Sequence, residues 1–322
     1  MMNRTSAHLL LVIGFTSVIA LGCAQATNDS MQEAPPNIVV LFADDLGYGD
    51  LSSYGHPIIQ TPHIDGIGEE GIQFTSFYAM APSCTPSRAA LLTGRYPQRF
   101  GLPNVLMPAS TGGIPASELT LAEVLKEEGY STGAVGKWHL GHADPSFYPT
   151  QNGFDSYFGI LYSNDMRKPW VQTDVPLELY RNEEPIEHPI NQATLTVRYT
   201  RESIEFIEGQ SDQPFFLYLP HSMPHWPQYS SQRFSGKSAN EAWGDSVEEI
   251  DWSTGQILKR LGELGIDEKT LVIFTSDNGG ALHRGADNTP LRGGKGSTWE
   301  GGHRVCCVVR WPGHVPADTQ SE

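Results

Sequence analysis

Residues 38–45 read Ile38-Val39-Val40-Leu41-Phe42-Ala43-Asp44-Asp45, and this stretch decides the fold class. An apolar run without a polar interruption is typical of a strand that is buried on both faces of a sheet. Two carboxylates follow the run directly. In open α/β sheets, ligands bind beside the carboxyl ends of the strands. The stretch therefore predicts a buried strand that delivers Asp44 and Asp45 to a ligand-binding edge.

Predicted strands and helices alternate along the rest of the chain, which indicates an α/β sheet covered by helices. Further strands are predicted at about residues 131–135, 215–219 and 271–274. A capping box, Thr120-x-x-Glu123, begins one helix, whose apolar stripe is Leu121, Val124 and Leu125. A second helix is predicted over residues 247–264, and Gly265 ends it. The segment from about 162 to 191 is rich in proline and polar residues, and we expect a long irregular surface loop near the site.

The composition is that of an acidic globular protein. The chain has 322 residues, of which 39% are hydrophobic, and a formal net charge of −16. This length can bury one large core or two smaller ones. Because an acidic chain repels phosphate backbones, the charge argues against nucleic acid as a partner.

The first residues resemble an export signal. Arg4 precedes a mostly apolar run from Leu9 to Leu21, and Ala24-Gln25-Ala26 resembles a peptidase cleavage site. Leu21-Gly22-Cys23 also resembles a lipoprotein cleavage site, so plain secretion and a lipid anchor at Cys23 are both open. We predict a signal peptide over residues 1–26, a linker over 27–36 and a catalytic domain over 37–322. The predicted location is periplasmic or extracellular, with membrane anchoring as the alternative.

A second pair of polar residues, Asp277-Asn278, follows the predicted strand at 271–274. With Asp44 and Asp45 it forms a set of oxygen ligands, which suits Ca²⁺ or Mg²⁺ rather than zinc. The alternative is that both pairs are ordinary loop and cap residues.

The segment Cys84-Thr85-Pro86-Ser87-Arg88 contains a candidate nucleophile. Pro86 suits the first turn of a helix, which predicts that Cys84 lies just before the helix N-terminus, where backbone N–H groups favour an anion. Arg88, one turn later, adds a positive charge. A buried free thiol is the alternative for Cys84. Cys306 and Cys307 are adjacent in an apolar run and are predicted to lie in the core.

Together with Leu91-Leu92-Thr93-Gly94-Arg95, the Cys84 segment resembles the signature of type I sulfatases. Further stretches similar to that family follow in the same order over about residues 35–315, namely 43–50, 136–141, 221–227, 275–279 and 294–302. Residues 102–118 and 162–165 are most similar to the arylsulfatase A branch, and the N-acetylgalactosamine-6-sulfatase branch is also close. The resemblance implies an alkaline-phosphatase-like fold, in which helices sandwich a mixed, mostly parallel central sheet.

The resemblance also implies hydrolysis of aryl or carbohydrate sulfate esters, with Cys84 converted to formylglycine by a separate maturation enzyme. The implied ligands of one Ca²⁺ are Asp44, Asp45, Asp277, Asn278 and the modified Cys84. The implied sulfate-binding and formylglycine-stabilising residues are Arg88, Lys137 and Lys295. The implied proton-transfer residues are His139, beside the formylglycine hydrate, and His225, beside the leaving-group oxygen.

The spacing of two residue pairs gives information that does not depend on the resemblance. Lys137 and His139 are two residues apart, so on an extended segment their side chains face the same side. His221 and His225 are four apart, but Pro224 between them disfavours a helix, so they are not predicted to form a helical zinc pair.

Two other functions stay open at this point. One is a phosphoester or phosphonate hydrolase of the same superfamily, because a cation-rich pocket accepts both anions. The other is an inactive module that binds calcium or a sulfated glycan. Members of the resembled family continue beyond the position of Glu322, so we expect the small C-terminal subdomain to be missing from this sequence.

Overall fold

One mixed sheet of ten strands runs through the part of the chain that the computed structural model describes, residues 34–210 and 213–322. The strands are β1 (Asn37–Ala43), β2 (Ile72–Tyr78), β3 (Ser131–Lys137), β4 (Ser156–Ile160), β5 (Leu179–Arg181), β6 (Glu184–Glu187), β7 (Phe215–Pro220), β8 (Thr270–Ser276), β9 (Arg304–Arg310) and β10 (Thr319–Ser321). Their order across the sheet is β10-β2-β9-β8-β1-β7-β3-β4-β5-β6. The predicted signal peptide and most of the predicted linker lie outside the described residues.

The five adjacent strands β8, β1, β7, β3 and β4 are parallel, whereas β9, β2, β5 and β6 pair antiparallel at the two margins. Strand β7 is buried along its whole length, and β1 is buried at all but one position. Parallel strands covered on both faces require such continuous apolar sequences. The predicted mixed, mostly parallel sheet is therefore confirmed.

Helices cover this sheet. They are α1 (Pro62–Glu69), α2 (Cys84–Thr93), α3 (Leu121–Glu127), α4 (Leu195–Glu208), α5 (Glu241–Glu263) and α6 (Glu300–His303). Helices α1, α4 and α5 contact one another in series, and α1 and α4 contact strands of the sheet, while α2 contacts α3, which packs on β3. Among the described residues, no helix is both long enough and apolar enough to cross a membrane.

Three sequence predictions about these elements need correction. Helix α5 begins at Glu241 rather than at residue 247. The segment 162–191 is not wholly irregular, because β5 and β6 form an antiparallel hairpin at the margin of the sheet. In α3, Leu121 and Val124 are 36% and 40% exposed, so only Leu125 of the predicted apolar stripe packs against the core. Cys306 and Cys307 are buried as predicted.

Candidate active site

Five parallel strands end at the same edge of the sheet, and the predicted site residues follow them. Asp44 and Asp45 follow β1, Asp277 and Asn278 follow β8, and His225 lies in the segment after β7. Lys137 is the last residue of β3, and His139 comes two residues later. Helix α2 supplies Cys84 and Arg88, and Lys295 comes from the segment between β8 and α6. The alternation of parallel strands and helices thus brings distant sequence motifs together.

Cys84 is the first residue of α2, and Ser83 before it has extended backbone geometry. The cysteine therefore lies inside the first turn, one position later than the sequence predicts. Its buried thiol lies 3.5 Å from Asp44 Oδ1, 4.0 Å from Asp45 Oδ1 and 3.6 Å from Lys295 Nζ. Burial raises the pKa of the Cys84 thiol, although nearby lysines oppose the shift. An unmodified Cys84 thus stays protonated at neutral pH and is a weak nucleophile.

Arg88 is fully buried and joins three parts of the site. Its Nε and Nη2 atoms donate to Asp277 Oδ2 at 3.1 and 2.8 Å, and Nη2 lies 3.2 Å from Asp44 Oδ1. Its Nη1 atom donates to the carbonyl of Lys137 at 2.9 Å. Burial alone would lower the pKa of Arg88, but Asp277 and Asp44 outweigh it and raise the pKa. Arg88 is therefore a permanent cation behind Cys84.

Lys137 and Lys295 add two more cations. Lys137 Nζ donates to Asp44 Oδ2 at 2.6 Å and to Ser163 Oγ at 3.1 Å, and Lys295 Nζ donates to Asp45 Oδ2 at 2.7 Å. Burial alone would lower the pKa of each lysine, but Asp44 outweighs it at Lys137 and Asp45 at Lys295, so both pKa values are raised. Both side chains are charged at neutral pH and can bind an anion.

The residues predicted to bind calcium form one cluster of oxygen atoms. Asp277 Oδ1 accepts from the backbone N–H of Asp45 at 3.0 Å, and Asn278 Nδ2 donates to Asp45 Oδ1 at 2.8 Å. Asn278 Oδ1 is buried and has no hydrogen-bond partner among the described residues. Asp44, Cys84 and Asp277 each offer a ligand atom within 4.8 Å of the others. One buried amide oxygen without a partner, beside three carboxylates, fits a hard divalent cation.

His225 and His139 differ in their surroundings. His225 Nε2 lies 3.6 Å from Asp45 Oδ2, and burial lowers its pKa, with Lys295 adding to the shift and Asp45 opposing it. His139 Nε2 lies 2.9 Å from the carbonyl of Leu106, which can only accept, so Nε2 carries the proton and Nδ1 keeps a lone pair. His139 Nδ1 has no partner among the described residues. Burial, aided by Lys137, holds the pKa of His139 well below its ordinary value.

Two predictions from spacing have different outcomes. His139 has a φ of 60°, so the extended geometry on which the prediction for Lys137 and His139 depended ends before His139. The segment from His221 to His225 is not helical, as predicted. Both ring nitrogens of His221 are buried without partners among the described residues, and burial lowers its pKa to about 3.

Ser163 is a site residue to which the sequence analysis gave no role. It is 1% exposed, and its hydroxyl accepts from Lys137 Nζ. It lies three residues beyond the end of β4, which pairs with β3 in parallel. A polar residue after a further parallel strand is the same signal that identified Asp44 and Asp277, but β4 was not among the predicted strands.

Comparisons with known proteins show the family to which the chain is similar. The sequence profile of the family described as Sulfatase matches residues 36–322. Arylsulfatase A of Homo sapiens is 44% identical over 303 residues, covering 87% of this chain and 60% of that protein. N-acetylgalactosamine-6-sulfatase of Mus musculus is 44% identical over 334 residues, covering 96% of this chain and 62% of that protein.

A crystal structure of Ps i-CgsB in complex with k-i-k-neocarrahexaose superposes with a TM-score of 0.80 at 35% identity, over 89% of this chain and 68% of that one. The chain spans about three fifths of the length of the two curated relatives, 60% and 62%.

Proposed function

The chain belongs to the sulfatase family, and we propose that it hydrolyses sulfate esters to an alcohol and inorganic sulfate, using a formylglycine made from Cys84 and one bound Ca²⁺. The observation that carries the proposal is the position of Cys84. Its buried thiol lies among two carboxylates and an ammonium group at a helix N-terminus, and burial raises its pKa, which disfavours the reactive thiolate. A modification would supply the missing reactivity.

Asp44, Asp45, Asp277 and Asn278 would hold the Ca²⁺ together with residue 84, and the cation would offset negative charge on the bound ester. A formylglycine, once hydrated, would supply a hydroxyl nucleophile in the place of the thiol. Arg88, Lys137 and Lys295 supply fixed positive charges that bind the sulfate group. His225 and Lys295 both lie near Asp45 Oδ2, beside residue 84, and would deliver a proton to the leaving oxygen. The lone pair on His139 Nδ1 would accept a proton from the hydrate.

The substrate class we propose is an aryl or carbohydrate sulfate. The similar arylsulfatase A and N-acetylgalactosamine-6-sulfatase, and the similar structure bound to k-i-k-neocarrahexaose, support this range. A formylglycine-generating enzyme is the proposed maturation partner. Export across a membrane, with or without a lipid anchor at Cys23, is a further part of the proposal and rests on the sequence of residues 1–26.

The test begins with the mass of the tryptic peptide that contains Cys84, from protein produced together with a formylglycine-generating enzyme. We expect the mass to fall by the difference between a thiol-bearing and an aldehyde-bearing residue, and the converted protein to release 4-nitrophenol from 4-nitrophenyl sulfate. Cys84→Ala should abolish the release, whereas the matched control Cys306→Ala removes a buried thiol outside the site and should retain it.

Two results would contradict the proposal. One is sulfate-ester hydrolysis that survives Cys84→Ala. The other is a converted enzyme that hydrolyses 4-nitrophenyl phosphate faster than the matched sulfate, which would favour a phosphoester hydrolase.

A further inference from the structure

Three side chains contact one another next to the segment that carries His225: Trp170, Trp226 and Arg284, called here the Trp–Arg cluster. The guanidinium carbon of Arg284 lies 3.8 Å from the ring centroid of Trp226. The Trp170 ring meets the Trp226 ring edge-on, with centroids 4.6 Å apart. Trp170 is 42% exposed, Arg284 is exposed and Trp226 is half-buried. The cluster therefore presents an aromatic surface and a cation to solvent.

Hydrogen bonds fix the cluster next to His225. Trp226 follows His225 directly in the chain. Gln228 Nε2 donates to the carbonyl of Pro224 at 3.2 Å and to that of Arg284 at 3.3 Å, so one side chain ties the two loops together. The proposed function places the leaving-group oxygen at His225. A substrate whose leaving-group oxygen lies at His225 would extend beside the segment that carries Trp226.

The loop that carries Trp170 is fixed to the same place. Asn164 Nδ2 donates to the carbonyl of Pro227 at 3.1 Å, and Asn164 is fully buried. The preceding residue, Ser163, accepts from Lys137 inside the site. Trp170 therefore lies six residues after Asn164, in a segment whose first residues are hydrogen-bonded to Lys137 and to the loop that carries His225.

Arg284 makes no close ion pair in the described structure. Among residues 34–210 and 213–322, no carboxylate oxygen lies within 4.0 Å of its guanidinium nitrogens. A guanidinium that stacks flat on an indole keeps its N–H groups free at the edge, where they match the planar fork of a carboxylate or two oxygens of a sulfate. The chain as a whole carries a net charge of −16 and repels polyanions. An exposed arginine therefore gives an anionic group on a ligand a local attraction that the chain as a whole does not.

We propose that the Trp–Arg cluster binds the portion of the substrate beyond the leaving-group oxygen and selects a glycan that carries a second anionic group. A pyranose ring of that glycan packs its C–H face on the exposed Trp170, and a sulfate or carboxylate on the same or the next sugar pairs with Arg284. This inference rests on the proposed function, because it takes the direction of the leaving group from His225. It narrows the substrate from any sulfate ester to a polyanionic saccharide.

The first test is direct binding to the full chain before conversion of Cys84, so that no turnover occurs. Sulfated hexasaccharides from chondroitin 6-sulfate, heparan sulfate and carrageenan are titrated by calorimetry at constant ionic strength with Ca²⁺ present. We expect at least one to bind, Arg284→Ala to weaken that binding about tenfold or more, and Trp170→Ala to weaken it several-fold. Trp226 is left intact because it adjoins His225.

Arg233→Ala is the matched control. Arg233 is also an exposed arginine over an indole, and its guanidinium carbon lies 5.2 Å from the ring centroid of Trp252 in α5. Its second aromatic partner is Phe234, so it belongs to a different cluster. The control removes the same charge and the same kind of stack, so we expect unchanged hexasaccharide binding. Equal thermal unfolding midpoints for the three variants separate lost binding from lost folding.

The second test uses the converted enzyme. Arg284→Ala should lower kcat/KM for sulfate release from the bound hexasaccharide about tenfold or more, while kcat/KM for 4-nitrophenyl sulfate, which has one anionic group, stays within about twofold. Absence of binding by every hexasaccharide, unchanged binding by Arg284→Ala, or equal losses on both substrates would overturn the inference. Binding that needs Arg284 without sulfate release from any ester would instead contradict the proposed function alone.

Discussion

Arg88 holds together two carboxylates that would otherwise repel each other in the core of the site. It is fully buried and pairs with Asp277 and Asp44. Arg88→Met fills the volume but leaves both carboxylates without their shared partner, so we expect a loss of about 3–5 kcal/mol in the free energy of unfolding. Urea unfolding with a chelator present measures this change in the free energy of unfolding. The matched control Lys259→Ala breaks an exposed ion pair with Glu263 and should cost less than about 1 kcal/mol.

If Arg88→Met lowers the free energy of unfolding as little as the control does, Asp44 and Asp277 can bind protons or water in place of Arg88 at little cost. Arg88 would then not be needed to stabilise the two carboxylates.

His221 makes stability depend on pH. Burial lowers its pKa to about 3, whereas an unfolded histidine has a pKa near 6.5. Below about pH 6.5 the unfolded chain therefore binds a proton that the folded chain does not, and stability falls by about 1.4 kcal/mol per pH unit until about pH 3. His221→Leu removes this term. We expect the variant to gain about 2 kcal/mol relative to the parent between pH 7 and 5. Chemical denaturation at several pH values gives the two curves, and parallel curves would contradict the prediction.

At the scale of elements, the sequence predicts best where one local pattern is sufficient. The apolar runs of β1, β7 and β8 identify buried strands, and the capping box of α3 forms as predicted, with Thr120 Oγ1 accepting from the N–H of Glu123 at 3.1 Å. The early start of α5 was missed because its first turns bury polar residues. Asp245 there is buried and accepts from the N–H groups of residues 236–238.

Features that depend on contacts between distant segments could not be predicted from local pattern. Strand β5 is only three residues long, and β6 is four residues long and mostly exposed, so neither is long enough to show a hydrophobic period. Ser163 gains its role only because β4 pairs with β3. The Trp–Arg cluster depends on three loops that meet in space. The motif residues of the site, by contrast, were predicted from the family resemblance, and the fold brings all of them together.

The close approach of β3 and β4 depends on two glycines, which gives an element-scale prediction. A Cβ on Gly159 would lie 1.8 Å from the carbonyl oxygen of Gly136 in the next strand. Gly159→Ala must therefore push β4 away from β3, and we expect a loss of about 1–3 kcal/mol or more in the free energy of unfolding. Because Lys137 ends β3, activity should fall as well. Thermal unfolding and 4-nitrophenyl sulfate turnover are the measurements.

Gly66→Ala in α1 is the control for this change. A Cβ on Gly66 would have no neighbour within 4 Å, and alanine favours the helix, so this variant should be more stable by about 1 kcal/mol. Destabilisation by both variants, or by neither, would show that strand separation is not set by Gly159.

At the scale of the whole molecule, three carboxylates, Asp44, Asp45 and Asp277, lie at the carboxyl edge of the sheet. A cation that binds them should increase the free energy of unfolding of the whole domain. A ligand that binds only the folded state stabilises it by about 2.7 kcal/mol at a hundredfold excess over its Kd. Ca²⁺ at the Asp44–Asp277 cluster should therefore raise the unfolding midpoint even before Cys84 is converted. Thermal unfolding with CaCl₂ or with a chelator, at constant ionic strength, measures the increment.

Nonspecific screening could also stabilise a chain of net charge −16, so the increment needs a charge-matched comparison. Asp277→Asn removes a buried carboxylate of the cluster, and Asp174→Asn removes one that is 95% exposed and paired with Lys168. Both variants change the formal net charge by one unit. If Ca²⁺ binds at the cluster, the increment is retained in Asp174→Asn and lost in Asp277→Asn. An equal rise in the unfolding midpoint of the two variants would mean that calcium acts through screening. The carboxylates of the cluster would then be neutralised by Arg88, Lys137 and Lys295 alone, without a bound cation.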